Sequence, residues 1–359
     1  MTTKMRTNLF KNLALVLSVF MIFLLVGCGS GVQTGESQKT GENPNGETIT
    51  LHIGSDVVQD SIRGKIVTYF AEQVKSISNG AINVESYFAT IGNVTEVSQQ
   101  LKAGDIDIQD LCYGSNFDER LAFMDTPMIW SDFEKTDEVI NSSELRDYLD
   151  SLSADLGVKL LVDVPVSSRT LTVNKMIESH EDLKGVKIRL PNDSVFLKFW
   201  SAMGCNPVTI SLDELYISLQ QGLVEAQENP IDLMTSYKLY EVQKYLIPTN
   251  HVTFFASIIM NLDKYNALSD ENKSYIDEAA VKTTEWAIAN REAMINKYYE
   301  ILRENSDVVE LEVNEAFKNK LNDAMANILP IIVERSGAEA VELMLNSLGY
   351  EDYIQNIND

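Results

Sequence analysis

Two arginines and one asparagine stand near the ends of predicted strands, and all three are residue types that bind carboxylates. Arg169 lies in VSSRTLTVNK, Arg189 in DLKGVKIRLPNDS and Asn229 in QENP. A surface arginine would pair with one of the chain's 53 acidic residues, but these two are flanked by apolar, strand-like residues. A guanidinium binds a carboxylate through two parallel hydrogen bonds, and an amide can donate or accept. These residues predict a site for a small anion.

Motifs for catalysis and metal binding are absent from the sequence. His52, His180 and His251 lie far apart, without HExxH or cysteine-pair spacing, so a zinc site is not supported. There is no GxSxG, Walker or GxGxxG motif, which disfavours a hydrolase on an α/β scaffold. We therefore expect a binding protein, not an enzyme, with no catalytic residue, metal or cofactor.

Strands alternate with helices along the first part of the chain. Apolar periodicity predicts three strands, at 51–53, 82–88 and 106–111, and two helices, at 61–77 and 94–103. This order is typical of a mostly parallel sheet flanked by helices. Ligands of such sheets bind beyond the carboxyl ends of the strands, where the arginines are expected.

The alternation continues from residue 158. Further strands are predicted at 158–164, 169–174, 186–190 and 224–227. Two helices are predicted to end at Met203 and Gly222. Further helices are predicted at 270–304 and in parts of 314–346. Ser211 and Glu214 match a capping box. The helix ending at Met203 would present free amide protons near Arg189, which favours anions. The helix at 270–304 would be ~50 Å long, so we expect it to lie across two domains.

The N-terminus has the pattern of a lipoprotein signal peptide. Lys4, Arg6 and Lys11 precede an apolar run at 13–26, which is shorter than the about 20 residues that a transmembrane helix needs. The run ends in Leu-Val-Gly-Cys28, which resembles the lipobox of bacterial lipoproteins, where the cysteine is lipidated. The alternative is an uncleaved anchor helix with an incidental cysteine. Residues 29–48 are polar and predict a flexible tether.

The net charge of −24 excludes one class of partner. Nucleic-acid binding requires a basic surface, so no nucleic acid is expected, and an anion site must be built from local cations. The body of about 310 residues is long enough for two domains. We expect Cys112 and Cys205 to be free core residues, with a disulfide between them as the alternative.

Several segments together resemble the extracytoplasmic solute receptors of TRAP transporters (tripartite ATP-independent periplasmic transporters), of the dicarboxylate-receptor (DctP) type. The segments are DLKGVKIRLPNDSV, AMGCNP, SLDELYISLQQGLVEAQENP and YKLYEVQKYLIPTNH, and the resemblance runs over about residues 50–329. It implies an α/β, two-domain, type II periplasmic-binding-protein-like fold with a ligand cleft and a long domain-crossing helix. It also implies two membrane subunits as partners and no hydrolytic activity.

The resemblance assigns roles to individual residues. The arginine of the KIRxP block, here Arg189, pairs with the ligand carboxylate; Arg169 and Asn229 add further contacts. Trp130 aligns with a bulky aromatic of the family, and we expect it in the core, with ligand contact as the lesser alternative. The family often has Gly-Phe where this chain has Ser167-Ser168, so a smaller, more polar pocket wall is expected there, and a dicarboxylate is not assumed.

These observations predict a complete organisation of the chain. The signal peptide is residues 1–27, and lipidated Cys28 and the tether cover 28–48. Domain I comprises 49–165 with about 256–290, and domain II comprises 166–255 with about 291–359. The predicted function is a monomeric, lipid-anchored, extracytoplasmic receptor that captures a small organic acid for TRAP membrane subunits. The alternatives are a ligand-binding sensor that feeds a signalling partner, or a lipid-anchored ABC-type binding protein.

Overall fold

The computed structural model describes residues 48–356. The predicted signal peptide, Cys28 and residues 29–47 of the predicted tether lie outside the described residues. Within residues 48–356, no helix is both long and apolar enough to span a membrane. Cys112 and Cys205 are free thiols, as expected.

The strands of the described chain form one nine-stranded sheet. They are β1 (Ile49–Ser55), β2 (Ile82–Phe88), β3 (Ile108–Leu111), β4 (Val158–Val173), β5 (Lys187–Leu190), β6 (Asn206–Thr209), β7 (Ala226–Pro230), β8 (Tyr245–Asn261) and β9 (Val309–Glu310). Their order is β2-β1-β3-β8-β4-β7-β5-β6, with β9 beside β8. Pairing is parallel around β1 and β5 and antiparallel where β8 meets β3 and β4 and where β4 meets β7.

Helices cover the sheet. They are α1 (Ile62–Ile77), α2 (Val94–Ala103), α3 (Phe133–Ser142), α4 (Glu144–Asp155), α5 (Ser194–Ala202), α6 (Leu215–Gln220), α7 (Ile231–Ser236), α8 (Leu262–Ala267), α9 (Asp270–Asn305), α10 (Glu315–Ser336) and α11 (Ala338–Leu348). The predicted helices at 61–77, 94–103 and 270–304 are confirmed. Gly104 ends α2 in the left-handed conformation, with φ of 79°, which glycine adopts without steric cost.

Two predicted strands, at 158–164 and 169–174, are a single strand, β4. The intervening residues stay extended and pair with β8, with register shifts between Leu160 and Val162, between Pro165 and Ser167, and between Arg169 and Leu171. A proline is tolerated at such an irregularity because its missing amide proton is not needed by the ladder. β4 and β8 therefore run as long continuous strands through the middle of the sheet.

The capping box predicted at Ser211 is wrong. α6 begins at Leu215, and Glu214 at its N-cap position makes no side-chain capping bond. The Ser211 hydroxyl donates instead to the Glu214 carboxylate, at 3.0 Å. The two side chains still meet, but in a turn before the helix, because a side-chain pairing at this spacing does not by itself fix the helix start.

The sheet and its helices form two lobes, as predicted. The first lobe is built on β1–β3 and the second on β5–β7; β4 and β8 lie between these two groups of strands in the sheet. The 36-residue α9 packs against α1 of the first lobe and α7 of the second. The residue boundaries given above for the two domains stay a prediction.

Candidate functional site

A cavity of about 670 Å³ lies between the lobes, within the range usual for small-molecule sites. Its wall includes Arg169, Arg189 and Asn229, so the structure brings the three predicted site residues together. Hydrogen bonds join the lobes beside it. The Ile62 amide of α1 donates to the Asp232 carboxylate at 2.9 Å, and the Ser236 hydroxyl donates to the Asp60 carbonyl at 2.7 Å.

Arg189 is a buried cation without a carboxylate partner. It lies in β5 between β6 and β7 and is 3% exposed. Its Nε donates to the Ile210 carbonyl at 2.7 Å, and no carboxylate of the described chain lies within ion-pair distance of it. Burial, and then the nearby charge of Arg169, lower the pKa of Arg189 to about 10, so it remains protonated at neutral pH. An anion entering the cavity would find its terminal nitrogens unpaired.

Arg169 already has a carboxylate partner. Its Nε donates to Glu228 Oε2 at 2.5 Å, and its Nη2 donates to Glu228 Oε1 at 2.8 Å and to Asn229 Oδ1 at 3.0 Å. The strand register produces this contact, because Arg169 in β4 lies opposite Pro230 in β7, next to Glu228 and Asn229. Burial opposes ionisation of Glu228, but the charge of Arg169 and the hydrogen bonds with Arg169 and His251 together outweigh it and lower the Glu228 pKa to about 2.

His251 completes this buried cluster. Its Nε2 lies 3.2 Å from Glu228 Oε2, and its Nδ1 lies 2.8 Å from the Thr249 hydroxyl. The ring stacks on Phe199 with 5.7 Å between centroids. Burial lowers the pKa of His251, so the imidazole is neutral at pH 7. Sequence reasoning set this histidine aside because it has no metal-ligand spacing.

Asn229 is fixed by a chain of polar side chains. Its Nδ2 donates to Gln227 Oε1 at 2.6 Å, and Gln227 Nε2 donates to the Thr172 hydroxyl at 2.7 Å. Thr172 in turn donates to Gln243 at 2.9 Å. All four residues are buried, so these contacts satisfy groups that would otherwise be costly to bury. They also hold the Asn229 amide in one orientation at the cavity wall.

Arg63 is a third arginine of the cavity, which sequence reasoning missed. It is 3% exposed and lies in α1. Its Nε and Nη2 donate to the two carboxylate oxygens of Asp110 at 3.1 and 3.0 Å, and Nη2 also donates to Asp56 at 2.8 Å. Burial opposes protonation, but the two carboxylates raise the Arg63 pKa above its usual value. The available signal was helical spacing, which puts Arg63 on the apolar face with Ile66 and Phe70.

The family model for DctP, described as bacterial extracellular solute-binding protein, family 7, matches residues 53–335. The chain belongs to this family. Among curated members, it is 29% identical to the sialic acid-binding periplasmic protein SiaP of Vibrio cholerae over 236 residues, covering 65% of this chain and 74% of that protein. It is 23% identical to the C4-dicarboxylate-binding protein DctP of Rhodobacter capsulatus, covering 82% and 90%.

Solved structures confirm the fold of this DctP-family protein. The ectoine-binding protein of the TeaABC TRAP transporter of Halomonas elongata superposes with a TM-score of 0.79 at 21% identity, covering 84% of this chain and 99% of that chain. The sugar-acid-binding protein of Advenella mimigardefordensis, in complex with galactonate, gives 0.78 at 22%, covering 84% and 98%. The family match makes the chain a bacterial extracellular solute-binding protein, and its fold is the predicted two-domain α/β architecture.

Two other expectations for this DctP-family protein concern the cavity wall. Trp130 lies in the core at 1% exposure, donates its indole N–H to the Phe123 carbonyl at 3.1 Å and packs edge-on against Phe255. It is not among the residues that line the cavity. The smaller wall expected at Ser167 and Ser168 is wrong, because those residues pair with β8 and do not line the cavity either.

Proposed function

We propose that the protein captures a small organic acid whose carboxylate binds Arg189. The observation that carries the proposal is the buried guanidinium of Arg189, which lines the cavity without a carboxylate of its own. A buried unpaired charge is unfavourable, so a ligand carboxylate would relieve that cost while forming a bidentate pair. Asn229 would add an amide contact at the same wall. Arg169, already held by Glu228, would keep this wall in shape.

The ligands of related proteins are consistent with this chemistry. Structures of the same fold hold succinate, galactonate, D-erythronate and pyroglutamate. Each of these carries a carboxylate, although the sizes and remaining groups differ widely. The shared feature is therefore the one that Arg189 would bind, and the rest of the cavity would set the ligand preference.

Closure of the two lobes would follow docking of the acid. The cavity wall is divided between them, so a ligand on Arg189 in the second lobe would also meet groups of the first, and exclusion of water would strengthen the ion pair. The bonds from Ile62 to Asp232 and from Ser236 to Asp60 would hold the closed form. TRAP membrane subunits would then recognise this form and take up the ligand. The receptor would release the ligand chemically unchanged.

Attachment to the membrane would use Cys28. The basic, apolar and Leu-Val-Gly-Cys pattern of the N-terminus supports lipidation of this residue. The polar segment that follows would let the receptor reach its membrane partners. Labelling cells with a radioactive fatty acid tests this proposal, because a Cys28→Ala variant would lose the label.

A thermal-shift screen of the purified protein against organic acids tests the ligand proposal. The panel contains dicarboxylates, sugar acids, keto acids and amino-acid derivatives. A ligand at 100 times its Kd adds about 2.7 kcal/mol to the free energy of unfolding. Truncating Arg189 to alanine should weaken binding by about 3 kcal/mol, or roughly 100-fold.

The matched control is Lys187→Ala. It removes one positive charge from the same strand, but at an exposed position outside the cavity. We expect it to leave ligand affinity within about twofold, since exposed charges contribute little. Equal losses in the two variants would indicate a general electrostatic effect, and unchanged affinity in Arg189→Ala would remove Arg189 from the site.

A further inference from the structure

We propose that the ligand carries a single carboxylate together with at least one hydroxyl or N–H group, and that the cavity rejects dicarboxylates. This inference rests on the proposed function, because it takes the carboxylate on Arg189 as given. It follows from the charges that line the cavity and from one side-chain amide oxygen that accepts no hydrogen bond in the described chain.

Of the three arginines that line the cavity, only Arg189 has no carboxylate partner in the described chain. Arg63 is held by Asp110 and Asp56, and Arg169 is held by Glu228 through two hydrogen bonds. Each of these guanidinium groups is thus neutralised inside the protein. A second ligand carboxylate would have to compete with a buried internal one, which would itself be left unpaired. One carboxylate on Arg189 is what the cations of the cavity can accommodate.

Acidic side chains occupy much of the remaining wall. Beyond the acids that pair with arginines, five carboxyl groups line the cavity: Glu96, Asp125, Asp193, Asp213 and Glu214. In the described chain, none of the five lies within ion-pair distance of a lysine, arginine or histidine. A carboxylate at the far end of a ligand would therefore meet like charge, which opposes binding. A hydroxyl or an N–H would instead find acceptors there.

Two of these acids are held together across the lobes. Ser115 of the first lobe donates its amide to Asp125 and its hydroxyl to Asp193, which caps α5 in the second lobe; both distances are 2.6 Å. Burial raises the pKa of both carboxyl groups, and for Asp125 the charge of Asp193 adds to this effect. Burial and their mutual repulsion already oppose ionisation of this pair, so a ligand carboxylate beside it would add to that cost.

Asn116 has an unpaired acceptor that favours a ligand with a hydrogen-bond donor. It lines the cavity, and its Oδ1 is buried and accepts no hydrogen bond from any residue of the described chain. A buried acceptor without a partner is unfavourable. Rotation of the Asn116 side chain would turn this oxygen toward the cavity, where a ligand hydroxyl or amide N–H would satisfy it, whereas a methylene group would leave it unpaired. The preferred ligand is therefore a hydroxy acid or an amido acid, not a simple fatty acid.

Ligands that differ in one group at a time test the contributions of the carboxylate, the second carboxylate and the hydroxyl groups. Calorimetric titrations of the full-length protein would use hydroxy monocarboxylates of three to nine carbons, each with its dicarboxylate, its deoxy acid and its neutral polyol. The panel would also contain amido monocarboxylates such as pyroglutamate, each with the corresponding acid that lacks the amide. The six-carbon set is gluconate, glucarate, hexanoate and sorbitol; the four-carbon set is 4-hydroxybutyrate, succinate, butyrate and 1,4-butanediol. In the set that binds, we expect the hydroxy monocarboxylate to bind at least tenfold more tightly than the dicarboxylate and the deoxy acid.

The outcomes distinguish this inference from the proposed function. A dicarboxylate that binds more tightly than its hydroxy monocarboxylate, with binding lost in Arg189→Ala, would overturn the inference and leave the proposed function intact. A neutral polyol that binds as well as its acid, with Arg189→Ala unaffected, would overturn the proposed function. Absence of binding by every hydroxy acid and every amido acid of the panel would contradict both.

Asn116→Leu tests the donor group by itself. We expect it to weaken binding of the hydroxy acid at least fivefold while leaving the deoxy acid unchanged, so that the preference between them narrows. The control is Asn141→Leu, at an exposed position of α3 outside the cavity, which should change neither affinity. An unchanged preference in Asn116→Leu would remove Asn116 as the group that recognises the ligand donor.

Discussion

Arg169 and Arg189 are buried to the same degree, lie on neighbouring parts of one sheet and line one cavity, yet their surroundings differ. Arg169 makes two hydrogen bonds to the Glu228 carboxylate, and its Cζ lies 5.3 Å from the ring centroid of Phe196 and 5.5 Å from that of Phe254. Arg189 has one backbone carbonyl as its hydrogen-bond acceptor in the described chain. The first cation is paired within the protein, and the second has no carboxylate partner in the described chain.

This difference suggests a structural role for one arginine and a ligand-binding role for the other. A buried ion pair costs desolvation but holds a fixed geometry once both partners are present. A buried cation without a partner weakens the folded protein and is retained where a ligand supplies the missing charge. We therefore propose that the Arg169 region shapes the cavity wall and that the Arg189 region binds the ligand. Each of the following predictions tests this division.

The largest expected effect is that of Arg169→Met on stability. Removing this arginine leaves Glu228 buried without its cation, so the free energy of unfolding should fall by about 3–5 kcal/mol. Urea titration of the ligand-free protein measures this fall. Adding Glu228→Gln should restore part of it, because the stranded charge is then removed as well. If Arg169→Met alone were as stable as the parent protein, Arg169 and Glu228 would not be a structural pair.

The contrast between a paired and an unpaired buried charge also exists among the carboxylates, because Asp163 is buried without an ion-pair partner in the described chain. Asp163 in β4 accepts a hydrogen bond from Ser257 at 2.6 Å, and its Oδ2 has no partner in the described chain. Burial raises the pKa of Asp163 to about 7, whereas the pKa of Glu228, paired with Arg169, is lowered to about 2. The two carboxylates should therefore respond to pH in opposite ways.

The Asp163→Asn variant tests this response. Between pH 4 and 7 the folded protein holds a proton on Asp163 that the unfolded chain has lost, so this group's contribution to stability falls as pH rises, by up to about 1.4 kcal/mol per unit. Above pH 7 the contribution is constant. Relative to the parent protein, Asp163→Asn should thus gain about 2–3 kcal/mol from pH 5 to 7. Parallel stability curves for the two proteins would contradict the raised pKa.

A smaller effect of opposite sign is expected for Arg189→Met. Methionine is of similar length and replaces a buried, unpaired cation by an apolar side chain, so the ligand-free protein should become more stable by about 1 kcal/mol. The same urea titrations measure this change. Destabilisation by several kcal/mol, as expected for Arg169→Met, would mean that Arg189 is a structural residue too.

Sequence patterns were sufficient for most of the fold. α1, α2 and α9 followed from apolar periodicity and from their N-terminal residues, and Arg169, Arg189 and Asn229 from residue type at strand ends. These signals are local, since each depends on residues within a few positions. The merging of two predicted strands into β4 was missed because it depends on β8, some 90 residues away in the chain.

The charge partners could not be derived in this way. Glu228 meets Arg169 through the register of β7 on β4, and Arg63 meets Asp110 because α1 packs beside β3. Each contact joins segments that are 47 to 59 residues apart, and the chain has many acids that could have taken either place. Which arginine is paired is therefore a property of the tertiary structure.

The smallest effect concerns the aromatic ring of Phe254, and it tests the division most finely. The Phe254 ring lies 5.5 Å from Arg169 Cζ, so a double-mutant cycle between Phe254→Leu and Arg169→Met should give a coupling of about 0.5–1 kcal/mol. The parallel cycle with Arg189→Met should be additive within about 0.5 kcal/mol, because Arg189 is not in cation–π contact with the ring. Equal coupling in the two cycles would show that Phe254 acts on the cavity as a whole, and the separation of a structural from a binding arginine would then lose its support on this side.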